Sequence, residues 1–340
     1  MAKASDLELG SAYFVQYHKP EFGTYSPRDE ELHPEIQAEK PHYALTETQY
    51  YGFYVPEAQL HCFTWVWYHP NLRTLTSGTM AWRGIKPINL SCELFDFRGY
   101  MSGDVFKDGF FNFTLDSGLS IEMPEIGRTF RLRYSDPDRG NSFDILQEAV
   151  TEPLVWPSNN HFEQTMHCTG EVTLRGESFA VDCFSLRDRS FGEYRMEDPM
   201  GIPPNSWTTG AFGPDLSFCV VGMEDEALDP IWKGRFEIPP GSTLRFGWMV
   251  VDGAKCIVTD LRSKIDYDPA DLMPRAMYLK ITDEHGRVHE LHGKVLAATP
   301  LTAWLNIRCP VCMIEWNYNG RIGHGEIQNV QFNDFVRAFT

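Results

Sequence analysis

Residues 161–195 read HFEQTMHCTGEVTLRGESFAVDCFSLRDRSFGEYR. Polar and apolar residues alternate here at the period of two that an extended strand imposes. Two such runs meet at Arg175-Gly176-Glu177, so a β-hairpin is expected whose second strand runs on into a loop. The rhythm repeats downstream. SWTTGAFGPDLSFCVVGMED (206–225) turns at Gly213-Pro214-Asp215, and STLRFGWMVVDGAKCIVTDLRSKI (242–265) at Asp252-Gly253, a pair suited to a two-residue hairpin loop. MYLKITDEHGRVHELHGKVLAATPL (277–301) turns at His285-Gly286, and CMIEWNYNGRIGHGEIQNVQF (312–332) at Asn319-Gly320. Evenly spaced short strands joined by hairpins argue for sandwiches or up-and-down barrels and against βαβ units.

Upstream, HCFTWVWYH (61–69), TLTSGTMAWRG (74–84), NLSCELFDFRG (89–99) and SGLSIEMP (117–124) read as strands. RTFRLRYSD (128–136) sets Phe130, Leu132 and Tyr134 on one face and Arg131 and Arg133 on the other. Residues 141–150, NSFDILQEAV, read as a short helix opened by a Ser142 cap. The Pro-rich stretch EPLVWPSNN that follows marks a domain boundary. At roughly 150 residues per domain, a chain of 340 residues divides into about two. The division expected is a polar, Glu- and Pro-rich arm over 1–40, a barrel domain over 41–155 and a second over 156–340. The fold class is all-β: two antiparallel β-barrels or half-barrels packed together, with few short helices.

Lys and Arg number 30 against 47 Asp and Glu, a formal charge of −17. That charge repels a phosphate backbone and an anionic membrane surface, and no basic stripe offsets it, so nucleic acid is excluded as a partner. MAKASDLELGSAYF at the start has no continuous apolar stretch, and no run approaches the roughly 20 apolar residues that span a bilayer. A cytoplasmic protein without stable membrane insertion is expected. The eight cysteines mostly sit in apolar segments and read as reduced, buried hydrophobes. Cys309-Pro-Val-Cys312 lacks the second pair or HxxxH partner of a zinc site. His285, His289 and His292 cluster, but a hairpin there puts His285 in the turn and the other two on opposite faces. No metal and no cofactor are expected; GxGxxG after a strand, GxxxxGK[ST], GxSxG and HExxH are all absent.

Two constellations remain. In an extended strand His161, Glu163, Thr165 and His167 share one face, and the stripe either lines a cavity as proton donors and acceptors or meets water. In Leu186-Arg187-Asp188-Arg189, the flanking guanidinium groups keep Asp188 ionised, which suits it to orient a neighbour or anchor a loop.

These same residues carry a resemblance. The stretch 161–195 resembles the hydroxyneurosporene synthase (carotenoid 1,2-hydratase) and AttH-like superfamily, most of all its bacterial members of unknown function. His161, Phe162, Glu163 and Gln164 match that group's histidine–aromatic–Glu-Gln strand. Arg187, Asp188, Ser190 and Gly192 match its strand ending in Arg-Asp-His-Ser-Trp-Gly. Asn319 to Glu326 is similar to its glycine-rich closing hairpin and following Glu. The resemblance implies two lipocalin-like barrels with a ligand cavity in or between them. Its known members include hydratases of isoprenoid double bonds and, more distantly, cyclases that shape polyenes. The chain departs from the motif at Arg189 and Phe191, where relatives carry His and Trp; arginine gives up no proton at working pH.

The function expected is a cofactor-independent lyase or isomerase, of hydratase, dehydratase or cyclase type, on a hydrophobic terpenoid, steroid or polyketide-like molecule. Glu163 is the expected acid or base, its pKa raised in a dry pocket, with His161 as partner and Asp188 as the orienting carboxylate. Arg187, Arg189, Phe191, Trp207, Trp248 and Trp316 are the expected substrate-binding groups, the tryptophans through their π faces. The partner is a hydrophobic small molecule, and a homodimer is compatible. The alternatives are a non-catalytic carrier or sensor of such a ligand, and an interaction scaffold with filled barrels, which a cavity below about 300 Å³ would favour.

Overall fold

The computed structural model describes residues 20–107, 109–194, 205–225, 227–228, 243–301 and 307–332. Its first half builds one antiparallel sheet. The strands are β1 (Leu45–Val55), β2 (Leu60–His69), β3 (Thr74–Arg83), β4 (Leu94–Ser102), β5 (Asn112–Thr114) and β6 (Ser120–Glu125). Then come β7 (Thr129–Asp136), β8 (Asn141–Ala149), β9 (Leu154–Val155), β10 (His161–Leu174) and β11 (Glu177–Tyr194). They order as β4-β3-β2-β1-β11-β10-β8-β7-β6-β5, with β9 beside β10. The first strand thus pairs with the last (Tyr50 opposite Asp188), and the sheet curls into a half-barrel.

The second half closes on itself. Strands β12 (Asn205–Gly213), β13 (Leu216–Met223), β14 (Leu244–Val251), β15 (Ala254–Tyr267), β16 (Pro274–Asp283), β17 (Val288–Leu301), β18 (Ile307–Tyr318) and β19 (Arg321–Phe332) form a closed barrel. Its interior is filled by Phe218, Met249, Val258, Leu279, Ile314 and Trp316, all essentially solvent-free. The tight turns form where Asp-Gly and Asn-Gly predict them. Asp252 and Gly253 both take positive φ, as do Asn319 and Gly320, the twist that lets two strands return without splaying.

The all-β class and the paired lipocalin-like units are as the sequence implies, and two details differ. Residues 141–149 are strand β8, not a helix. Asn141, Phe143, Ile145 and Gln147 are buried and their neighbours are not, a period of two, and β7 and β10 pair on either side. A short run with apolar residues at 143, 145 and 146 fits both periods, and strand pairing decides it. The change of sheet also falls between Tyr194 and Asn205, downstream of the boundary drawn at 155/156, because the 161–194 hairpin completes the first sheet.

The described part of the arm is anchored, not loose. Residues 27–30 form a 3₁₀ turn capped by Ser26, and α1 (Pro34–Glu39) follows. They seal one face of β10 and β11. Arg187 donates to both carboxylate oxygens of Glu30 (2.5 and 3.1 Å) and to Gln164 Oε1 (2.8 Å), its guanidinium 4.1 Å from the Phe130 ring centre. Arg189 donates to Glu47 and to the Glu31 carbonyl (2.6 Å). Burial alone would raise Glu47, but Arg189 and His33 outweigh it and hold the carboxyl below its ordinary value. Phe191 stacks on His33 at 3.8 Å. Gly192, at φ 74°, leaves room for Ile36, which a Cβ would meet at 3.3 Å.

A buried pair is costly to break because the surviving charge is stranded. Glu30→Ala is expected to destabilise the protein by about 3–5 kcal/mol. Arg28→Ala, which removes an exposed pair with Glu31, should cost about 1 kcal/mol or less. Urea unfolding midpoints of the two variants measure the difference, and equal midpoints would refute the anchoring role.

Candidate functional site

The opposite face of β10 and β11 meets the outer wall of the closed barrel. Cross-strand register sets Trp65, Tyr50, Asp188 and Glu163 in one row over β2, β1, β11 and β10. Neighbours in such a row stand about 5 Å apart. The His161–His167 stripe therefore neither lines a barrel interior nor simply meets water. Thr165 Oγ1 bonds Ser217 Oγ of β13 at 2.8 Å, while His161 and His167 at the two ends of the stripe are partly exposed, His167 the more so and beside Asp182.

Glu163 is fully buried at this junction. Its carboxylate accepts the indole N–H groups of Trp156 (2.9 and 3.0 Å), Trp207 (3.1 Å) and Trp248 (2.9 Å), and the Cys219 thiol (3.4 Å). His161 Nε2 lies 2.9 Å from Oε1. Burial favours a neutral carboxyl, but the His161 charge and the indole donors outweigh it and hold Glu163 below its ordinary value. Burial likewise opposes a charged imidazole, yet Glu163 holds His161 above its ordinary value. The expectation of a raised Glu163 pKa is thus overturned: the donors around it matter more than the dry surroundings. The mobile proton of the pair sits on His161.

His161 and Asp188 open on a cleft between the half-barrel and the barrel, walled by Tyr50, Phe63, Trp65, Trp156, Trp207, Arg245, Cys309 and Gln328, among others. Its volume is about 100 Å³. That is below the ~300 Å³ at which pockets for drug-sized molecules begin. A drug-sized molecule requires the walls to part.

Of the residues expected at the site, His161, Glu163, Asp188, Trp207 and Trp248 come together here. Trp248 is solvent-free and reaches the site through its N–H. Arg187, Arg189 and Phe191 point to the arm instead, and Trp316 is packed in the barrel, donating to the Thr209 carbonyl at 2.8 Å. The replacement of His by Arg at 189 therefore falls on the face away from the cleft and removes no proton donor from it. Sequence reasoning missed Trp156, which lies in the Pro-rich stretch read as a boundary, and Tyr50, whose position nothing local marks. The histidine cluster is a hairpin: His289 is buried against Asp283 (3.1 Å) while His292 packs at a tilt against Tyr278. Among the described residues no group of three or more His, Cys, Asp or Glu could hold a metal ion, and no helix is long and apolar enough to cross a membrane.

Comparison with known proteins gives the family. The family described as Domain of unknown function (DUF7064) matches residues 26–333, and the chain belongs to it. A search of curated sequences finds no match. Among solved structures, it is similar to a Nitrosomonas europaea protein assigned as AttH (TM-score 0.55, 12% identity, 94% of this chain and 99% of that one). It is also similar to kievitone hydratase from Nectria haematococca (0.51, 13%, 94% and 98%) and to CghA (0.50, 9%, 96% and 96%). At these identities the likeness is one of fold.

The His161–Glu163 pair gives a titration with a defined sign. His161, raised, contributes stability fully below 6.5 and loses it as pH rises through its folded value. Glu163, lowered, contributes fully above 4.5 and loses it as pH falls through its folded value. The pair should thus stabilise most between those pH values. By NMR, the His161 ring should titrate above 6.5 in the wild type. In Glu163→Gln it should titrate lower than in the wild type, since burial is then opposed only by the more modest effects of Asp188 and Glu193; no change would remove the pairing argument.

Proposed function

We propose that the protein is a cofactor-independent lyase or isomerase, of hydratase, dehydratase or cyclase type, acting on a hydrophobic terpenoid, steroid or polyketide-like molecule. One observation carries the reading: an imidazole paired with a carboxylate that three indoles hold away from water faces an aromatic cleft. His161, through the ring nitrogen not engaged by Glu163, protonates a double bond or a leaving hydroxyl. Glu163 fixes the ring and restores its charge preference, and Asp188 adds negative charge beside it. The faces of Trp65 and Trp207 stabilise positive charge developing on the substrate carbon. The likeness to a kievitone hydratase agrees with this reading at the level of fold.

The small cleft favours a second reading, a filled interaction module. Two experiments separate them. Mass spectrometry of an organic extract of the protein, against a Trp207→Arg control, should reveal a hydrophobic ligand. A panel of terpenoids and steroids should then give turnover that His161→Gln lowers by about 10²–10⁴-fold while Trp316→Phe leaves it unchanged. An empty extract together with an inert panel would favour the module.

A further inference from the structure

Addition or loss of water needs two proton-transferring groups, one to give a proton and one to take it. His161 supplies the first. A second buried carboxylate stands behind the cleft wall on the barrel side, bonded to two residues that line it. Glu326, on β19, is solvent-free and has no role in the His161–Glu163 pair. It accepts the Tyr50 hydroxyl of β1 and the Gln328 amide (2.7 Å), and His61 Nε2 of β2 lies 2.7 Å from its Oε2. Its own backbone N–H donates to Thr209 Oγ1 at 3.0 Å. His61 is packed between Tyr54 and Trp82, and its Nδ1 has no hydrogen-bond partner among the described residues. Tyr50 and Gln328 line the cleft with His161 and Asp188.

Burial and the Glu326 charge push the Tyr50 hydroxyl well above its ordinary value, so it enters any reaction as a phenol. Its proton points at Glu326, which leaves the oxygen lone pairs free to accept. We propose that Tyr50, backed by Glu326 and His61, is the cleft's proton acceptor, a catalytic residue one strand away from Asp188. In water addition, the attacking water forms its bond to carbon and gives a proton to Tyr50 Oη. The Tyr50 proton passes to Glu326 Oε2 as that bond forms, while His161 gives its proton to the neighbouring carbon. Tyr50 ends as it began, Glu326 is protonated and His161 neutral; proton exchange with solvent resets both. No oxidant or further reactant enters.

This assignment rests on the hydratase reading for its biological meaning, but its chemistry can be tested without the natural substrate. The probe is 4-nitrophenyl acetate, a one-ring ester. Tyr50 Oη attacks the ester carbonyl, its proton goes to Glu326, and nitrophenolate leaves. Peptide mapping should find Tyr50 O-acetylated faster than Tyr100, which is 88% exposed. Burial alone predicts the reverse order. Glu326→Gln should slow acetylation of Tyr50 at least tenfold, with Tyr50→Phe as the blank. Tyr50 reacting more slowly than Tyr100, or equally fast in Glu326→Gln, overturns the relay. The wild-type comparison stands even where a variant fails to fold, and it stands if the substrate panel proves inert, which would count against the hydratase reading alone.

Discussion

Each of the two β units lends a carboxylate to the other. Glu163 belongs to the half-barrel but is held by Trp207, Trp248 and Cys219 of the barrel. Glu326 belongs to the barrel but is held by Tyr50 and beside His61 of the half-barrel. A carboxylate moved out of water costs several kcal/mol, and only well-aimed donors offset it. Each has donors in its own unit as well, Trp156 and His161 for Glu163 and Gln328 for Glu326, but neither set is complete there, so sliding or separating the two units strips both carboxylates of partners. The junction is fixed in register by polar contacts where apolar packing alone would tolerate slippage.

Strands β10 and β11 distribute their side chains accordingly. Glu163 and Asp188 face the junction; Gln164, Arg187 and Arg189 face the other way and hold the amino-terminal segment. The Arg-Asp-Arg run thus performs two tasks on two faces. Holding the arm stiffens the very strands that aim His161 at the cleft, a supporting layer for a site that needs accurate placement.

Much of this was legible in the sequence. Period-two alternation and the Asp-Gly and Asn-Gly turns locate most strands, and they do so because strand sidedness and turn geometry are local. The run at 141–150 misleads because Phe143, Ile145 and Leu146 satisfy two periods, and only its neighbours in the sheet decide. Glu163 and His161 could be picked out by their shared strand face. Which way that face looks depends on where the barrel docks, and nothing within the strand records it. Tyr50, His61 and Glu326 lie far apart in the chain, so no spacing rule joins them; the row from Trp65 to Glu163 exists only after β1 pairs with β11. Arg187, Arg189 and Phe191 were read as cleft residues by nearness to Asp188, although alternation assigns the arginines to the other face.

The pairing of β1 with β11 has a consequence for the order of events during synthesis. Leu45 lies opposite Tyr194, and Glu30 waits for Arg187. Until about residue 195 has left the ribosome, the early strands have no partner on one edge and two acidic side chains destined for the interior have no cation. Contacts of such long sequence separation form late and slowly. The β1–β4 meander, complete at Ser102, must therefore persist with an open, aromatic-rich edge until β11 ends at Tyr194, the interval in which self-association or a holding chaperone competes for it.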